Sequence, residues 1–201
     1  MKKLMCLAIV TMLAAAFFTG CAPVKVERVD SGEMIDLSGN WNDTDSQLVS
    51  QEMINDSLNR PWVSDYRTQS GKAPTVIVGT VKNRSDEHIN TETFVKDLER
   101  ELINSGKVKF VAAREQRTEV REEKTDQANF ASPETIKARG KEKGADFMIQ
   151  GQINTIMDEA GKQAVKYYQV ELEMVNILTN EKVWIGQKKI KKLVTRKSSK
   201  F

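Results

Sequence analysis

The chain has 201 residues, of which 31 are basic and 28 acidic, so its formal net charge is only +3. That length accommodates one folded domain with an ordinary core, and the near balance of charge argues against a nucleic-acid-binding protein. One of the two cysteines, Cys6, lies in a segment with the features of a signal peptide. A mature chain would then hold one cysteine and no internal disulfide, so its stability must come from the core.

The first 20 residues are typical of a secretory signal peptide. Two lysines precede an apolar run over residues 4–18, which is shorter than the roughly 20 residues of a membrane span. The sequence Phe18-Thr19-Gly20-Cys21 resembles a bacterial lipobox, which implies cleavage before Cys21 and a diacylglycerol on its sulfur. The alternative is an ordinary signal peptide with an incidental cysteine. Ala22 follows Cys21, and by resemblance to the Gram-negative sorting rule this favours the outer membrane.

The first part of the mature chain is predicted to be a tether. Residues 21–35 alternate charges with small residues and show no apolar periodicity. Fully extended, fifteen to nineteen residues reach roughly 50–70 Å. Several acyl chains on Cys21 would hold this tether on a bilayer permanently. The folded periplasmic domain is expected over residues 36–194, followed by a basic tail over residues 195–201.

The first elements of the domain are a helix and a buried strand. One of residues 43–45 can cap a helix that runs to about Asn59 and ends before Pro61. The β-branched run over residues 75–81 predicts a central strand, because both of its faces are apolar. A polar loop is expected over residues 82–88.

The middle of the chain is less regular. A helix with apolar residues at helical spacing is predicted from Thr91 to Asn104, and a short strand follows over residues 108–111. Residues 114–127 have almost no apolar face, so they are either a solvated helix or a mobile segment. A further helix is predicted to start at Ser132-Pro133 and to end near Gly140 or Gly144.

The last third predicts an antiparallel meander. Apolar and polar residues alternate over residues 147–153 and 168–174, as in strands with one buried face. Turns are expected at residues 158–161 and 179–182, and a final strand starts at Val183.

The alternation over the second of these strands changes phase at Val175. Either Ile177 and Leu178 are both buried, or the strand contains a bulge. Together the elements predict an α/β fold of the α+β type, with a largely antiparallel sheet of about five strands packed with helices.

The sequence shows no enzyme motif. His88 is the one histidine, and no phosphate-binding loop, dinucleotide-binding turn or nucleophile elbow is present. Three aspartates, Asp36, Asp43 and Asp45, could hold calcium, but helix capping explains them more simply. Glu171 and Glu173 could act as an acid–base pair, or they are the wet side of a strand. We therefore expect no enzyme, no cofactor and no metal.

The end of the chain is strongly basic. Eight basic residues and no acidic one occur from Lys182 to Lys200. They could bind an acidic surface, or they could protect an edge strand from aggregation. The candidate partner contacts among them are Lys188, Lys189, Lys191 and Lys192.

Two aromatic residues are further candidate contacts. Trp62 and Tyr66 follow the first predicted helix, and aromatic residues are enriched in the cores of interfaces. The alternative is that Trp62, like Trp41 on the other side of that helix, simply packs it against the sheet.

Several segments, in this order and spacing, resemble one family, LpoB. They are Asp36-Leu37-Ser38-Gly39-Asn40-Trp41-Asn42-Asp43, the strand at 76–81, Lys143-Gly144-Ala145-Asp146-Phe147-Met148-Ile149-Gln150-Gly151 and Leu178-Thr179-Asn180-Glu181-Lys182-Val183-Trp184. The resemblance covers residues 36–190. It implies a domain like the N-terminal domain of TolB, which is a mixed sheet packed with helices. It also implies an outer-membrane lipoprotein that docks on a class A penicillin-binding protein and activates peptidoglycan synthesis.

The last two segments also resemble domains related to the curli secretion lipoprotein CsgG. The alternative function is therefore a structural subunit of an envelope assembly or secretion complex. For the activator we expect a monomer, bound to the membrane through Cys21 and free of nucleic acid.

Overall fold

The computed structural model describes residues 25–132, 134–135 and 142–196. The boundary between the two compact units of the chain falls between Glu33 and Met34. In the first unit, the described residues 25–33 are exposed and hold an ion pair of 2.8 Å between Lys25 and Glu27. All of the elements below belong to the second unit.

The second unit is built on a mixed sheet of five strands. The strands are β1 (Thr75–Arg84), β2 (Lys109–Phe110), β3 (Phe147–Ala160), β4 (Gln163–Asn176) and β5 (Lys182–Thr195), in the spatial order β2-β1-β3-β4-β5. β1 is parallel to both of its neighbours, and β3, β4 and β5 form an antiparallel meander. The predicted fold class is confirmed, because a largely antiparallel five-stranded sheet packs with helices.

Four helices are described. They are α1 (Asp43–Leu58), α2 (Trp62–Ser70), α3 (Thr91–Asn104) and α4 (Arg114–Phe130). α1 packs on α3 and β5, and α3 packs on β1, so both cover the same face of the sheet, the inner face. α4 has no buried residue, which fits the prediction of a solvated helix. The bounds of α3 are those predicted, because its apolar stripe of Phe94, Leu98 and Leu102 is buried and Asn90 caps its first turn.

The alternating residues of the meander form the core of the inner face. Phe147, Ile149 and Ile153 of β3 are buried there. Their neighbours on β4 are also buried, namely Tyr168, Val170, Leu172 and Met174. This confirms the alternation predicted over residues 168–174, because one face of the strand meets helices and the other does not.

Several predicted boundaries were wrong. α1 is capped by Asn42, whose side chain accepts from the Asp45 amide, rather than by one of residues 43–45. β1 extends into the loop predicted over residues 82–88 and ends at Arg84, because β3 offers pairing partners as far as Asn154. Similarly, β3 continues through the predicted turn to Ala160, because every residue of this stretch pairs with β4.

The sequence pattern did not predict α2. At the end of β4 it left two alternatives open. Ile177 and Leu178 are 44% and 90% exposed, so the burial alternative was wrong. The bulge alternative is confirmed by a register shift between Met174 and Val175. The helix predicted from Ser132 to Gly140 or Gly144 lies mostly outside the described residues.

Residues 36–42 form a strap that two lysines hold against the inner face of the meander. Lys192 of β5 donates to Asp36 (2.8 Å) and to Asp45 (2.6 Å), so an ammonium occupies the place where the aspartates could have held calcium. Lys166, its cross-strand neighbour on β4, bonds to Asn40. Burial by itself lowers the pKa of Lys192, but the bonds to the two aspartates outweigh it and raise the pKa above the ordinary value.

Glu87 completes the attachment of the strap. Its carboxylate accepts from the Lys166 ammonium (2.7 Å), the Tyr168 hydroxyl (2.6 Å) and the Trp41 amide (3.0 Å). Trp41 in turn packs edge-on against Tyr168 and Phe94, with ring centroids 5.6 and 6.0 Å apart. Burial raises the pKa of Glu87, but these three donors outweigh burial, so the pKa lies below the ordinary value.

We expect acid to loosen the strap through Glu87. Because the folded-state pKa of Glu87 is lowered, its contribution to stability is complete above the unfolded pKa of about 4.3 and is lost as the pH falls through the folded pKa. The urea midpoint should therefore fall more steeply below about pH 5 in the wild type than in Glu87→Gln, which is the less stable protein near neutral pH. The exposed Glu122→Gln is the control and should keep the wild-type slope. Equal slopes for Glu87→Gln and the wild type would contradict this assignment.

Candidate partner-binding surface

The structure places the six predicted contact residues in four different environments. Trp62 belongs to the core, since it is only 5% exposed and its ring centroid lies 4.9 Å from that of Phe147. Its indole N–H donates to the Ser57 carbonyl (2.8 Å). The position of Trp62 therefore agrees with the alternative interpretation, that it is a packing residue. A partner could reach the ring only if the packing around it opened.

Two of the four predicted lysines face inward. Lys188 and Lys192 alternate onto the inner face of β5, where Lys188 pairs with Glu52 of α1 and Lys192 holds the strap. Both are bound to acidic groups of the chain itself. Their charges are therefore largely neutralised before any partner arrives.

The other two lysines face the opposite side of the sheet, the outer face. Lys189 and Lys191 are exposed, and neither forms an ion pair with a carboxylate in the described part of the chain. They lie opposite Gln169 and Tyr167 of β4. Since β5 is an edge strand, their position fits both protection of that edge and attraction of an acidic surface.

Tyr66 is the one predicted aromatic contact that is partly exposed. It lies on α2 with its ring 5.3 Å from Phe147, at the end of the sheet where β3 begins. Burial, followed by the nearby Asp146 carboxylate, raises the pKa of its phenol. Tyr66 therefore stays neutral at physiological pH and presents a half-buried aromatic side chain to the surface.

Three cations line an open pocket where α1 ends and α2 begins, and one of them, Arg67, directly follows Tyr66 in the sequence. The Arg67 guanidinium donates to the Lys107 carbonyl (2.5 Å), and the Lys107 ammonium donates to the Asn59 side chain (2.8 Å). Arg60 pairs with Asp56. Among the described residues, Arg67 and Lys107 have no carboxylate partner. We name this set, Arg60, Tyr66, Arg67 and Lys107, the corner patch.

Sequence reasoning found Tyr66 but missed the cations of the corner patch. Lys107 lies forty positions after Arg67 in the sequence, and only the packing of α2 beside the end of α3 brings the two together. Arg60 and Arg67, seven residues apart around Pro61, offered a weak signal of a shared helical face.

The remaining lysines are far from the corner patch. Lys191 lies opposite Tyr167, which lies opposite Ile156, nine residues along β3 from Phe147. At about 3.3 Å per residue, this separation is roughly 30 Å. The predicted contacts therefore belong to two distinct surfaces rather than one.

Glu171 and Glu173 lie on the outer face, where their carboxylates accept hydrogen bonds from side-chain amides. Gln150 donates to Glu173 (2.8 Å), while Gln152 and Gln187 both donate to Glu171 (3.2 Å each). Hydrogen bonds, the largest from Gln169 for Glu171 and from Lys182 for Glu173, lower the pKa of both carboxyls. A carboxyl that acts as a general acid needs a raised pKa. This environment therefore favours the interpretation that the two residues lie on the solvent-facing side of a strand over the interpretation of an acid–base pair.

The predicted lipidation site, Cys21, precedes the residues that the structure describes. Within the described ranges, no helix is both long enough and apolar enough to cross a bilayer.

Comparison with solved structures finds weak likenesses. The LpoB C-terminal domain from Salmonella enterica is 16% identical with a TM-score of 0.43, and the alignment covers 73% of this chain and 98% of that domain. The corresponding domain from Escherichia coli is also 16% identical, with a TM-score of 0.42 and the same coverage. The lipoprotein GNA1162 from Neisseria meningitidis is 14% identical with a TM-score of 0.40, over 63% of this chain and 88% of that one.

A search of curated proteins finds no significant match. The family model described as peptidoglycan-synthase activator LpoB, however, matches residues 45–190, which is most of the chain and nearly the whole of the second unit. The chain therefore belongs to the LpoB family of peptidoglycan-synthase activators.

Proposed function

We propose that this chain is a lipoprotein that binds a class A penicillin-binding protein and stimulates peptidoglycan synthesis. The observation that carries the proposal is the family match over residues 45–190. The family is one of activators, which regulate an enzyme rather than act as one. The chain would be held at the periplasmic face of the outer membrane by acyl groups on Cys21, and it would act as a monomer.

The corner patch is the surface that best fits such a partner. It combines a half-buried aromatic ring with arginines, the residue types enriched where interfaces are most strongly stabilised. Arg67 and Lys107 have no acidic partner within the described residues, so an acidic surface on the synthase would supply the missing counter-charges. The pocket between α1 and α2 could accept a protruding side chain of that surface.

Binding alone does not activate an enzyme. The chain must bind the active conformation of the synthase more tightly than the inactive one, because a ligand shifts an equilibrium only by its differential affinity. Such coupling is typically about 5–150-fold. The corner patch lies on α2, on the turn before it and just after α3, so it offers a preformed surface that can select one conformation of the partner.

Reversal of one charge in the corner patch tests this surface. Arg67→Glu should lower the affinity for a purified class A penicillin-binding protein roughly 30-fold, the effect typical of a central interface arginine. Lys191→Glu makes the same charge change about 30 Å away and should bind like the wild type. Affinity and glycosyltransferase stimulation would both be measured with the mature chain.

The outcomes separate the surface from the function. If the wild type neither binds nor stimulates any class A synthase of its organism, the proposed function fails. If it binds but Arg67→Glu does so equally well, only the corner patch is wrong. Ring-sized particles in detergent would favour the alternative of an envelope assembly subunit, and mass spectrometry of the mature chain would test acylation at Cys21.

A further inference from the structure

The far end of the meander carries an apolar and basic surface that the proposed function does not use. On the outer face, Ile156, Tyr167 and Lys191 form one row across β3, β4 and β5, and Asp158, Val165 and Leu193 form the next. Ile156 and Leu193 are 67% and 66% exposed. We name this surface, with the neighbouring Lys189, the tip patch; its members are Ile156, Val165, Tyr167, Lys189, Lys191 and Leu193.

The chemistry of the tip patch suits the boundary of a bilayer. Exposed aliphatic side chains can enter the headgroup region, and a tyrosine with a polar tip sits at that level. The stems of the two lysines can lie along the apolar surface while their ammonium groups reach lipid phosphates. Asp158 is the one carboxylate in these two rows, so the balance of the patch is positive.

Both connections of the domain to the rest of the chain leave from this same end. The strap enters at Asp36, which is bound to Lys192, three residues before β5 ends at Thr195. Arg196 follows, bonded through its amide to the Lys162 carbonyl in the turn between β3 and β4. Two more lysines, Lys197 and Lys200, come next in the sequence. The end of the domain that the strap enters is therefore also the end that carries the tip patch.

The length of the tether makes a weak contact effective. Asp36 is fifteen residues from Cys21 (36 − 21), so the tip cannot move further than about 50 Å from an acylated cysteine. A connection of this length gives an effective concentration on the order of millimolar. A contact that would be negligible between free molecules is then substantially populated.

From these observations we propose that the tip patch docks on anionic phospholipid in the same leaflet that holds the anchor, and so orients the domain. The inference rests on the part of the proposed function that acylates Cys21. It goes beyond it, because it assigns a second membrane contact to the folded domain. The corner patch, about 30 Å away at the opposite end of the sheet, would then face the periplasm and stay available to the synthase.

Protection of an engineered thiol tests the docked state. The mature, acylated chain has no other free thiol, because Cys6 belongs to the signal peptide and Cys21 is acylated. Gln163→Cys, at the tip but outside the patch, and Thr68→Cys, on α2, would each be placed in phosphatidylcholine vesicles with or without phosphatidylglycerol. A water-soluble maleimide should modify position 163 several-fold more slowly when phosphatidylglycerol is present, and position 68 at one rate in both vesicles.

Charge reversal of the tip lysines identifies the surface. Each lysine near an anionic membrane contributes about five-fold to binding, so losing Lys189 and Lys191 should lower the docked-to-free ratio by at least roughly 25-fold. K189E/K191E should therefore abolish the protection at position 163, as should high salt. R67E/K107E makes the same charge change in the corner patch and should keep the protection. Melting temperatures of both variants would verify that they fold.

Two results would overturn the inference. One is an equal modification rate at position 163 in both kinds of vesicle, with the chain still bound to them through its anchor. The other is protection unchanged in K189E/K191E combined with lost affinity for the synthase, which would assign the tip patch to the protein partner. Failure of the proposed function gives a different result from failure of this inference. In that case the mature chain washes off the vesicles, or the wild type binds no synthase.

Discussion

The Gly151→Ala variant is expected to be destabilised by about 3 kcal/mol or more, at the upper end of the usual cost of overpacking. A Cβ atom on Gly151 of β3 would lie 2.0 Å from the carbonyl oxygen of Glu171 and 2.7 Å from the Leu172 side chain. The oxygen belongs to the backbone of β4, which is paired on both sides and cannot yield without breaking the ladder. For a domain of this size, the melting temperature should fall by roughly 6–12 °C.

Gly144→Ala is the matched control for Gly151→Ala. A Cβ atom there meets nothing within 4 Å, so its effect should remain within about 0.5 kcal/mol. Thermal and urea unfolding would be measured for both variants. If Gly151→Ala melts within two or three degrees of the wild type, β3 and β4 do not approach each other as described.

Removal of Lys192, which holds the strap, is the other substitution with a large expected effect. Lys192→Met should cost about 3–5 kcal/mol, because it leaves Asp45 ionised, buried and without its counter-charge. The side chains of Lys192 and Asp45 are only 10% and 8% exposed, so water cannot replace the lost partner cheaply. Urea unfolding would give the loss, and the strap would become more susceptible to proteolysis.

Lys189→Met is the matched control for Lys192→Met. It is the same substitution on the same strand, but it lies on the outer face, and it should change stability by no more than about 0.5 kcal/mol. Adding Asp45→Asn to Lys192→Met should recover part of the loss, because the unpaired charge is then gone. Equal losses for the two methionine variants, or no recovery, would show that the buried pair does not hold the strap.

Much of this protein is determined by local pattern. Over residues 168–174, strict alternation predicts a strand with one buried face, and four of its residues, Tyr168, Val170, Leu172 and Met174, are indeed buried. Thr91–Asn104 was predicted with its observed bounds, because an apolar stripe at helical spacing runs through the whole segment. The four quoted sequence segments, in their order and spacing, likewise identified the family that the match over residues 45–190 shows.

Other features were decided only by residues distant in the sequence. In the sequence, the four candidate lysines of β5 form one basic patch, but the fold directs Lys188 and Lys192 to acids more than a hundred positions away and leaves Lys189 and Lys191 exposed. Likewise, the corner patch depends on α2, a short helix with a weak pattern of its own that packs beside the end of α3.

The sequence by itself determined the class of fold, the family and the elements whose periodicity reports a buried face. The tertiary structure decided which charges are neutralised, why position 151 must be glycine, and that the candidate contacts lie at two ends of the sheet. The physical reason is that periodicity is a property of neighbouring residues, whereas ion pairing and steric exclusion depend on strands and helices that the chain brings together only when it folds.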